Sequence, residues 1–597
     1  MASPNKNPDY TAQIPKSGHD LSFDLGFTAS TGMLLPIFTD FLLPGDTVQG
    51  SVNLFTQLRQ PLAQPAQIEV EQIVDYFFVP FTMLYQPFEQ MKYQTPDAFS
   101  SNFPIQSDTD WTESMATQFP KVNMSRLCHT IHTNRNNWLN EMESECKAAY
   151  RLMDMLGYNP DALLVDGAPG EQQQLQYTPN FFPYAALVYQ CVYQYFYRLD
   201  QWEKFSNLYF NFDRFFGTNL LTDAQTDTLR KVFNLHYRPL YLDYFTNIKN
   251  SPLMSDVNVL KSFNGSDSKD SSLGYLVDFK EYLSNRRIYP GDPSGAINSE
   301  PLTSVRLVSS SNFTSAAIRN LFAAEKFLQI TARSANRYDD QVLAHLGFKI
   351  PNDPKHNIQY LGTQKQMMNT TQVVSTGDTD ALGDRVGQMY GSISGNDGFK
   401  FTAPVHGVVI GIYSALPKRM YAAGIDRSQL FTDIHDIFDP EFDHLGMQPL
   451  FGYEASRLQD NTHAGTILGW QWRYEQYKRK ISRTTSAFFR YADPTDGYDN
   501  VFPNYLGCYF NIQRPFTWDN ALSPLVPSNI RGYQDFLCKP FELDSMQNVY
   551  YATTWHELWE KNPALIYETD PFIIDAHINL KKSSVMSVHS MPNLNQF

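Results

Sequence analysis

Apolar residues recur at every second position near both ends of this chain and at helical spacing only in its middle. These two periods separate half-buried strands from helices that bury one face. Strand-type segments first, helical segments next and strand-type segments last do not make the strand–helix alternation of a parallel sheet. The expected fold class is mainly β: an antiparallel β-sandwich core interrupted by long helical and loop insertions.

From about Leu21 to Pro104 the pattern is strands and turns. Leu43-Pro44-Gly45-Asp46 is a turn signal. Ile68-Glu69-Val70-Glu71 alternates, and Val74, Tyr76 and Phe78 then share one face. Ile73 and Val74 break the alternation, which points to a bulge or a register change. In the middle, Glu141–Leu156 reads as a helix with Gly157 at C′ and Pro160 beyond it. Pro183 opens a second helix through Arg198. A third is expected from Ser315 to Ala332, with Thr314 as N-cap, a Phe313–Ile318 staple and a stripe of Ile318, Leu321, Ala324 and Leu328. Between the last two, Asn247–Asn312 is a long polar insertion with surface-loop chemistry. Strand patterns return from about Gly387. Asn396-Asp397-Gly398 is expected to join Gln388–Ser394 and Phe399–Pro404 as a hairpin, and His406–Ser414 is a short apolar strand. The expected divisions are a β core from 21–130 and 387–597, a helical insertion at 131–246, the polar insertion at 247–312, and a helix with a connecting segment at 313–386.

Composition narrows the function classes. Among 597 residues, 18% are charged and 14% aromatic, including 43 Phe and 35 Tyr. Charged residues average about 25% in soluble domains. Few charges with many aromatics fits either a large aromatic core or extra surface buried against partners. The net charge of −15 excludes nucleic-acid binding over the whole surface. Cys128, Cys146, Cys191, Cys508 and Cys538 form no CxxC pair, so a reduced setting is expected. No signal peptide is visible, and the longest apolar run, Gly407–Leu416, is too short to span a bilayer. A soluble chain made in a cytoplasm, without membrane contact, is the expectation.

Enzyme signatures are missing. There is neither GxxxxGK[ST] nor GxGxxG. Gly391-Ser392-Ile393-Ser394-Gly395 fails GxSxG, and His556-Glu557-Leu558-Trp559-Glu560 lacks the second His of HExxH. No catalytic, cofactor-binding or metal residue is assigned. Cys128, His129 and His132 have ligand chemistry without a second pair, and are read as a helix-end cluster. Asp433, His435, Asp436, Asp439 and Asp443 are read as a solvated loop rather than a calcium site. One basic stretch stands out: Arg473, Lys478, Arg479, Lys480 and Arg483, interleaved with Tyr474 and Tyr477. Cations and aromatics in this mix can hold single-stranded DNA by phosphate contact and stacking. The competing reading is a subunit interface, or a strand whose charges face solvent.

Several short blocks, in order, carry a family resemblance. Ala332-Arg333-Ser334-Ala335-Asn336-Arg337-Tyr338 after its helix resembles the ARxGxRY segment of gokushovirus-type microvirus major capsid proteins. Tyr360-Leu361-Gly362, His406–Ile412, Tyr421–Ile425, Phe438–Phe442, Leu445–Gln448 and Trp472–Lys478 resemble further blocks. Phe23-Asp24-Leu25, Leu43–Asp46, Phe77–Pro80, Leu152–Tyr158 and Asp243–Thr246 fall in the same order nearer the N-terminus. Ala335 and Thr363 stand where that family usually has glycine. The resemblance implies an eight-stranded jelly roll with long insertions and a T=1 icosahedral shell. It also implies an enclosed circular single-stranded DNA genome and a surface projection near the threefold axes. Ser262, Asn264, Ser266, Asp267 and Ser268 of the polar insertion are the candidates for that host-attachment protrusion. The partners expected are further copies of the chain, the genome, a host surface receptor and a small basic virion protein. The last is needed because an acidic shell cannot neutralise DNA alone. The alternative is a glycan-binding or carbohydrate-active β-sandwich, which would be a monomer with an aromatic cleft.

Overall fold

The computed structural model describes residues 15–58, 69–93, 119–133, 149–158, 179–198, 205–247, 338–374, 385–417, 425–455, 467–482 and 570–588, with short breaks inside these ranges and a few positions besides. Apart from two-residue ladders, the strands are β1 (Ser17–Asp20), β2 (Phe23–Ala29), β3 (Leu35–Leu42), β4 (Thr47–Leu58), β5 (Val70–Pro80), β6 (Gln359–Met367), β7 (Asn369–Val374), β8 (Arg385–Ile393), β9 (Phe399–Thr402), β10 (Gly407–Pro417), β11 (Met447–Phe451), β12 (Ile467–Trp472) and β13 (Phe572–Ser584). The helices used below are α1 (Met124–Thr133), α2 (Tyr184–Val192), α3 (Asp223–Thr228), α4 (Tyr338–Leu346) and α5 (Glu475–Lys478).

The protein is mainly antiparallel β with helices laid against it. The larger sheet runs β1–β13–β4–β8–β7, with β2 also on β13 and β9 also on β4; the smaller runs β6–β5–β10–β3. In β13 and β4, strict alternation buries one face. Phe572, Ile574, Ala576, Ile578 and Leu580 point inward with Val48, Val52, Leu54 and Leu58, while their neighbours face out. Rings from the two sheets meet between them. Phe38 of β3 stacks on Phe399 of β9 at 6.4 Å, Tyr76 of β5 lies 4.7 Å from the same ring, and Phe27 of β2 meets Tyr413 of β10 edge-on at 5.5 Å. The sandwich core therefore consists of inward side chains from both sheets. Its polar members pair across the gap: the Thr56 hydroxyl donates to Gln72 Oε1 (2.9 Å), and the Val52 N–H donates to Gln364 Oε1 (3.1 Å).

β5 and β10, the central strands of the smaller sheet, are buried on both faces, and that corrects the reading of Ile73-Val74 as a bulge or register change. β5 pairs with β10 in unbroken register through Val74↔Tyr413 and Ile73↔Ser414. Val74, Tyr76 and Phe78 do share one face, the inner one. Ile73, Phe77 and Val79 face a helical layer instead, so the apolar run marks two-sided burial. The register shift lies opposite, between Tyr360 and Gly362 of β6. Gly362 has φ +145°, a conformation that side chains avoid.

The expected hairpin is also corrected. β8 and β9 do not pair with each other; both pair with β4 in succession, from Tyr390↔Gln57 to Thr402↔Thr47. They act as one interrupted strand. A Cβ on Gly398 would meet the Gly50 carbonyl oxygen at 2.2 Å, so β4 leaves room only for glycine there. Asn396 and Asp397 lie outside the described residues. The sheets also draw β6 and β7 from 359–374, a segment expected to be helix and connection.

The helical middle fits its local signals. Gly157 (φ +81°) ends the helix through 149–155: its N–H donates to Asp154 O, and that of Tyr158 to Met153 O, as a Schellman close. Pro183 is the N-cap of α2 rather than its first residue. α2 runs to Val192, then widens into a π turn at Tyr193–Tyr197, where the Arg198 N–H donates to Tyr193 O. Thr222 and Gln225 close a capping box on α3, and Arg126 of α1 holds Asp227 of α3 by two hydrogen bonds of 3.0 and 2.7 Å. Most of the expected helix from Ser315 to Ala332 lies outside the described residues.

Two buried ion pairs fasten this layer to the sandwich. Tyr197 donates to Asp75 Oδ2 at 2.6 Å and Arg238 Nη1 binds the same oxygen at 2.6 Å, so β5 holds both ends of the helical layer. Arg151 grips Asp570 with both Nη atoms and donates to Thr28 O at 2.9 Å; the Thr28 hydroxyl donates to Asp570 at 2.6 Å. The pair is almost dry, with side chains 4% and 0% exposed. It joins β2, the middle of the chain and Asp570, two positions before β13. Removing one partner strands the other charge in the interior, which costs about 3–5 kcal/mol. Arg151→Leu and Asp570→Leu should each lower stability by about that much in denaturant unfolding of the free chain. The double variant should lose less than the sum.

His236 gives a second check. Its ring stacks on Tyr193 with centroids 3.6 Å apart, and its Nε2 meets Gln190 Oε1 at 2.7 Å. The Gln190 amide nitrogen is committed to Asn234 O, so Nε2 is the donor to Gln190. Burial pulls the His236 pKa down to about 3, below the usual value of about 6.5. The unfolded chain therefore binds the extra proton. This contribution is complete above pH 6.5 and is lost as pH falls toward 3, by about 1.4 kcal/mol per pH unit. Acid unfolding of His236→Gln should show a shallower pH dependence than wild type by about one proton.

Candidate assembly and nucleic-acid surfaces

The basic stretch begins where β12 ends. Tyr474 follows in the left-handed region (φ +61°), the one non-glycine residue there among the described residues. Its N–H donates to Gln448 Oε1 at 3.0 Å, and Gln448 Nε2 donates to Gln476 Oε1 at 2.9 Å. Those bonds and a buried ring packed edge-on to Phe438 (5.2 Å) hold the turn against its strain. The turn aims α5 and the cations after it.

Those cations differ in their freedom. Arg473 lies over the Tyr474 ring at 5.1 Å. Lys478 sits 3.4 Å from Asp443 and donates to Arg473 O at 3.0 Å. Arg479 pairs with Glu475 at 2.8 Å along one helix face. Lys480 is exposed. Arg483 lies outside the described residues. Tyr474 is buried and closed to a base, whereas Tyr477 is exposed. The structure thus brings Arg473, Lys478, Arg479 and Lys480 to one rim.

Beneath this rim is a buried polar network that sequence reasoning missed. Glu454 is 1% exposed; it accepts from Tyr244 at 2.9 Å and from the Phe451 N–H at 3.2 Å, with Arg427 Nη1 at 3.4 Å. Gln471 of β12 donates to the Tyr244 hydroxyl at 3.0 Å. Burial raises the Glu454 pKa, offset in part by Arg427. These groups tie residues 244–245 to the β11–β12 pair. In the sequence they are ordinary polar residues at wide separation, with no local signal.

Other candidates fall as follows. Cys128 is buried on α1, while the side chains of His129 and His132 lie outside the described residues. Asp436 accepts from the Thr432 N–H (2.8 Å) and hydroxyl (3.2 Å), closing a loop, and Asp443 pairs with Lys478. Asp433 and the His435 side chain lie outside the description, as do Ser262, Asn264, Ser266, Asp267 and Ser268. At one end of the larger sheet, an open cleft of ≈ 410 Å³ is lined by His19, Gln49, Lys400 and Lys581 among others. Its floor holds Lys582, a buried lysine bonded to Asp40 at 3.1 Å.

Residues 10–119 and 243–500 match the phage family described as "Capsid protein (F protein)". The chain belongs to that capsid protein family. It is 24% identical over 521 residues to the capsid protein VP1 of Chlamydia phage 1, covering 80% of this chain and 85% of that one. It is 26% identical over 201 residues to the capsid protein VP1 of Bdellovibrio phage phiMH2K, covering 33% and 36%. The resemblance to gokushovirus-type major capsid proteins holds, and with it a structural part in a phage virion. The matched ranges take in β1 to β5 and β6 to β12 of this capsid protein. The interval between them contains α1 to α3. No described helix is long and apolar enough to cross a membrane.

The network under the basic rim yields a test. Glu454→Ala leaves the Tyr244 hydroxyl and the Arg427 guanidinium short of a buried acceptor, a loss of about 2–3 kcal/mol. Hydrogen exchange of the Met447–Phe451 amides should then rise, while amides of β13 keep their protection.

Proposed function

We propose that this capsid protein is the major shell component of a small tailless phage, and that its copies close into a T=1 icosahedral shell around a circular single-stranded DNA genome. The observation that carries the reading is the capsid family match across most of both sheets. The strand order supports it. One sheet reads β1/β2–β13–β4–β8/β9 and the other β6–β5–β10–β3, which suits an eight-stranded jelly roll with β6 continuing into β7. Such a wedge leaves its loops at the ends of the strands, where neighbours meet around symmetry axes.

Within this reading the chain is one capsid domain, its β core interrupted by the helical insertion at 131–246 and the polar insertion at 247–312. The latter, with Ser262, Asn264, Ser266, Asp267 and Ser268, is proposed as the protrusion that meets a host surface receptor. Arg473, Lys478, Arg479, Lys480 and Arg483 are proposed to contact DNA. Three of these cations already neighbour an acid or a ring, so their hold on phosphate is shared. The net charge of −15 supports a separate small basic polypeptide beside the genome. Assembly is proposed to occur in the host bacterial cytoplasm.

The full chain, expressed and purified, should give closed particles or symmetric oligomers by size exclusion and negative-stain microscopy. A persistent monomer that binds sugars would overturn the reading in favour of a glycan-binding sandwich.

A further inference from the structure

The three most exposed large apolar side chains among the described residues are Tyr338 (76%), Leu346 (76%) and Ile434 (75%). They are gathered on two surfaces. The first is α4, a helix with no buried residue. Its His345 and Gln341 turn toward 327–331, through a ring contact with Phe327 at 4.4 Å and a hydrogen bond to Thr331 O at 3.3 Å. Leu343, Leu346 and, past Gly347, Phe348 remain on the open side. The second surface is the segment 425–438, where Ile425, Phe431, Ile434, Ile437 and Phe438 are exposed. Tyr477 continues it through its stacking on Phe431 at 6.4 Å.

A short helix gains its stability from burying one face, because its own hydrogen bonds do not repay the ordering of the chain. Among the described residues, no element covers the open side of α4. Six half-exposed side chains on the second surface present on the order of 600 Å² of mostly apolar area. With a polar rim, that approaches the ~800 Å² per partner of a standard interface. The first turn of α4 is acidic, with Asp339 and Asp340, and it finds a complement in exposed Lys480 on the rim of the other surface, where Lys478 and Arg479 already stand beside Asp443 and Glu475. The two surfaces differ from each other, which is the geometry of a head-to-tail contact that closes a ring of identical subunits.

We infer that α4 with Phe348 of one copy docks on the 425–438/Tyr477 surface of a neighbouring copy, and that this heterologous contact builds the shell. The inference rests on the self-assembly proposed above and names its surfaces. It also gives the rim cations a second role, as the charged edge of a subunit contact.

The test uses the full chain with Leu346→Asp or Ile434→Asp, one on each surface. Each variant should remain a folded monomer, with the circular dichroism and thermal unfolding of the dissociated wild-type chain. Mixed in equal amounts, the two should form a one-to-one heterodimer that grows no further, because one intact copy of each surface remains. Assembly of either variant to wild-type size would overturn the inference while leaving the proposed function standing. So would self-dimers of each variant, since they would mean that each surface meets its own kind. If the aspartates unfold the chain, Leu346→Cys and Ile434→Cys decide. Thiols that react with a maleimide in the dissociated chain and are protected in particles support the contact. Thiols protected in both states mean that the chain covers these surfaces itself, and overturn it. A wild-type chain that never associates would remove the proposed function and the inference together.

Discussion

The last long strand of the chain lies in the middle of its larger sheet. β13 is hydrogen-bonded to β1 and β2 on one side and to β4 on the other, so the sheet cannot close until residues 572–584 arrive between segments more than 500 positions earlier. Pairings of that separation give no local reward before the loop between them has closed, which makes them late and cooperative. The buried Arg151–Asp570 pair stands at the entrance of this strand and also holds Thr28 of β2. The first strands, the middle of the chain and the last strand are thus joined at one dry charge pair. Such a pair stabilises little on balance, but it penalises arrangements in which either charge is left alone.

Closure of the sheet determines where the rest of the chain can go. With both ends anchored in one sandwich, long segments can leave only from connections between strands. One of them folds back as the helical layer over β5 and β10, and this accounts for the unbroken burial of those two strands. Much of the aromatic surplus is used inside the chain. Phe77 packs against Phe196 and Tyr197, and Phe81, Phe88, Phe119 and Phe182 form a linked cluster of rings at 4.6 to 5.8 Å. Other apolar side chains stay outside at scattered positions, among them Phe55, Leu208, Tyr360 and Val588, but the three most exposed lie on α4 and on 425–438.

Features that depend on near neighbours were legible in the residues. The Leu43–Asp46 turn forms, with the Leu43 N–H on Asp46 Oδ2 at 3.0 Å and Gly45 at φ +85°. The helix stop at Gly157, α2 after Pro183 and the apolar strand from Gly407 also stand close to their expected places. Features that depend on distant partners were not legible. Asn396-Asp397-Gly398 looks like a hairpin turn, yet β8 and β9 lie end to end on β4, because the better hydrogen-bonding partner comes from much earlier in the chain. The cations after Trp472 read alike as a phosphate-holding stretch, a subunit interface or a solvent-facing strand, and which acids stand beside them is not written locally. Folding sets Asp443 beside Lys478, and a short helix sets Glu475 beside Arg479. Glu454, Tyr244 and Gln471 carry no motif, and only packing makes them a network.

Sequence alone determined the class of the fold, the order of strand and helix regions, the short turns and caps, and the blocks that place the chain among phage capsid proteins. These follow from side-chain period and from backbone preferences that act over a few residues. Tertiary structure alone decided which strands are neighbours, which face of β5 meets helices, which charges are paired and which apolar side chains are left uncovered. Each of those depends on what a distant part of the chain brings to within hydrogen-bonding or van der Waals range, and no local pattern encodes that distance.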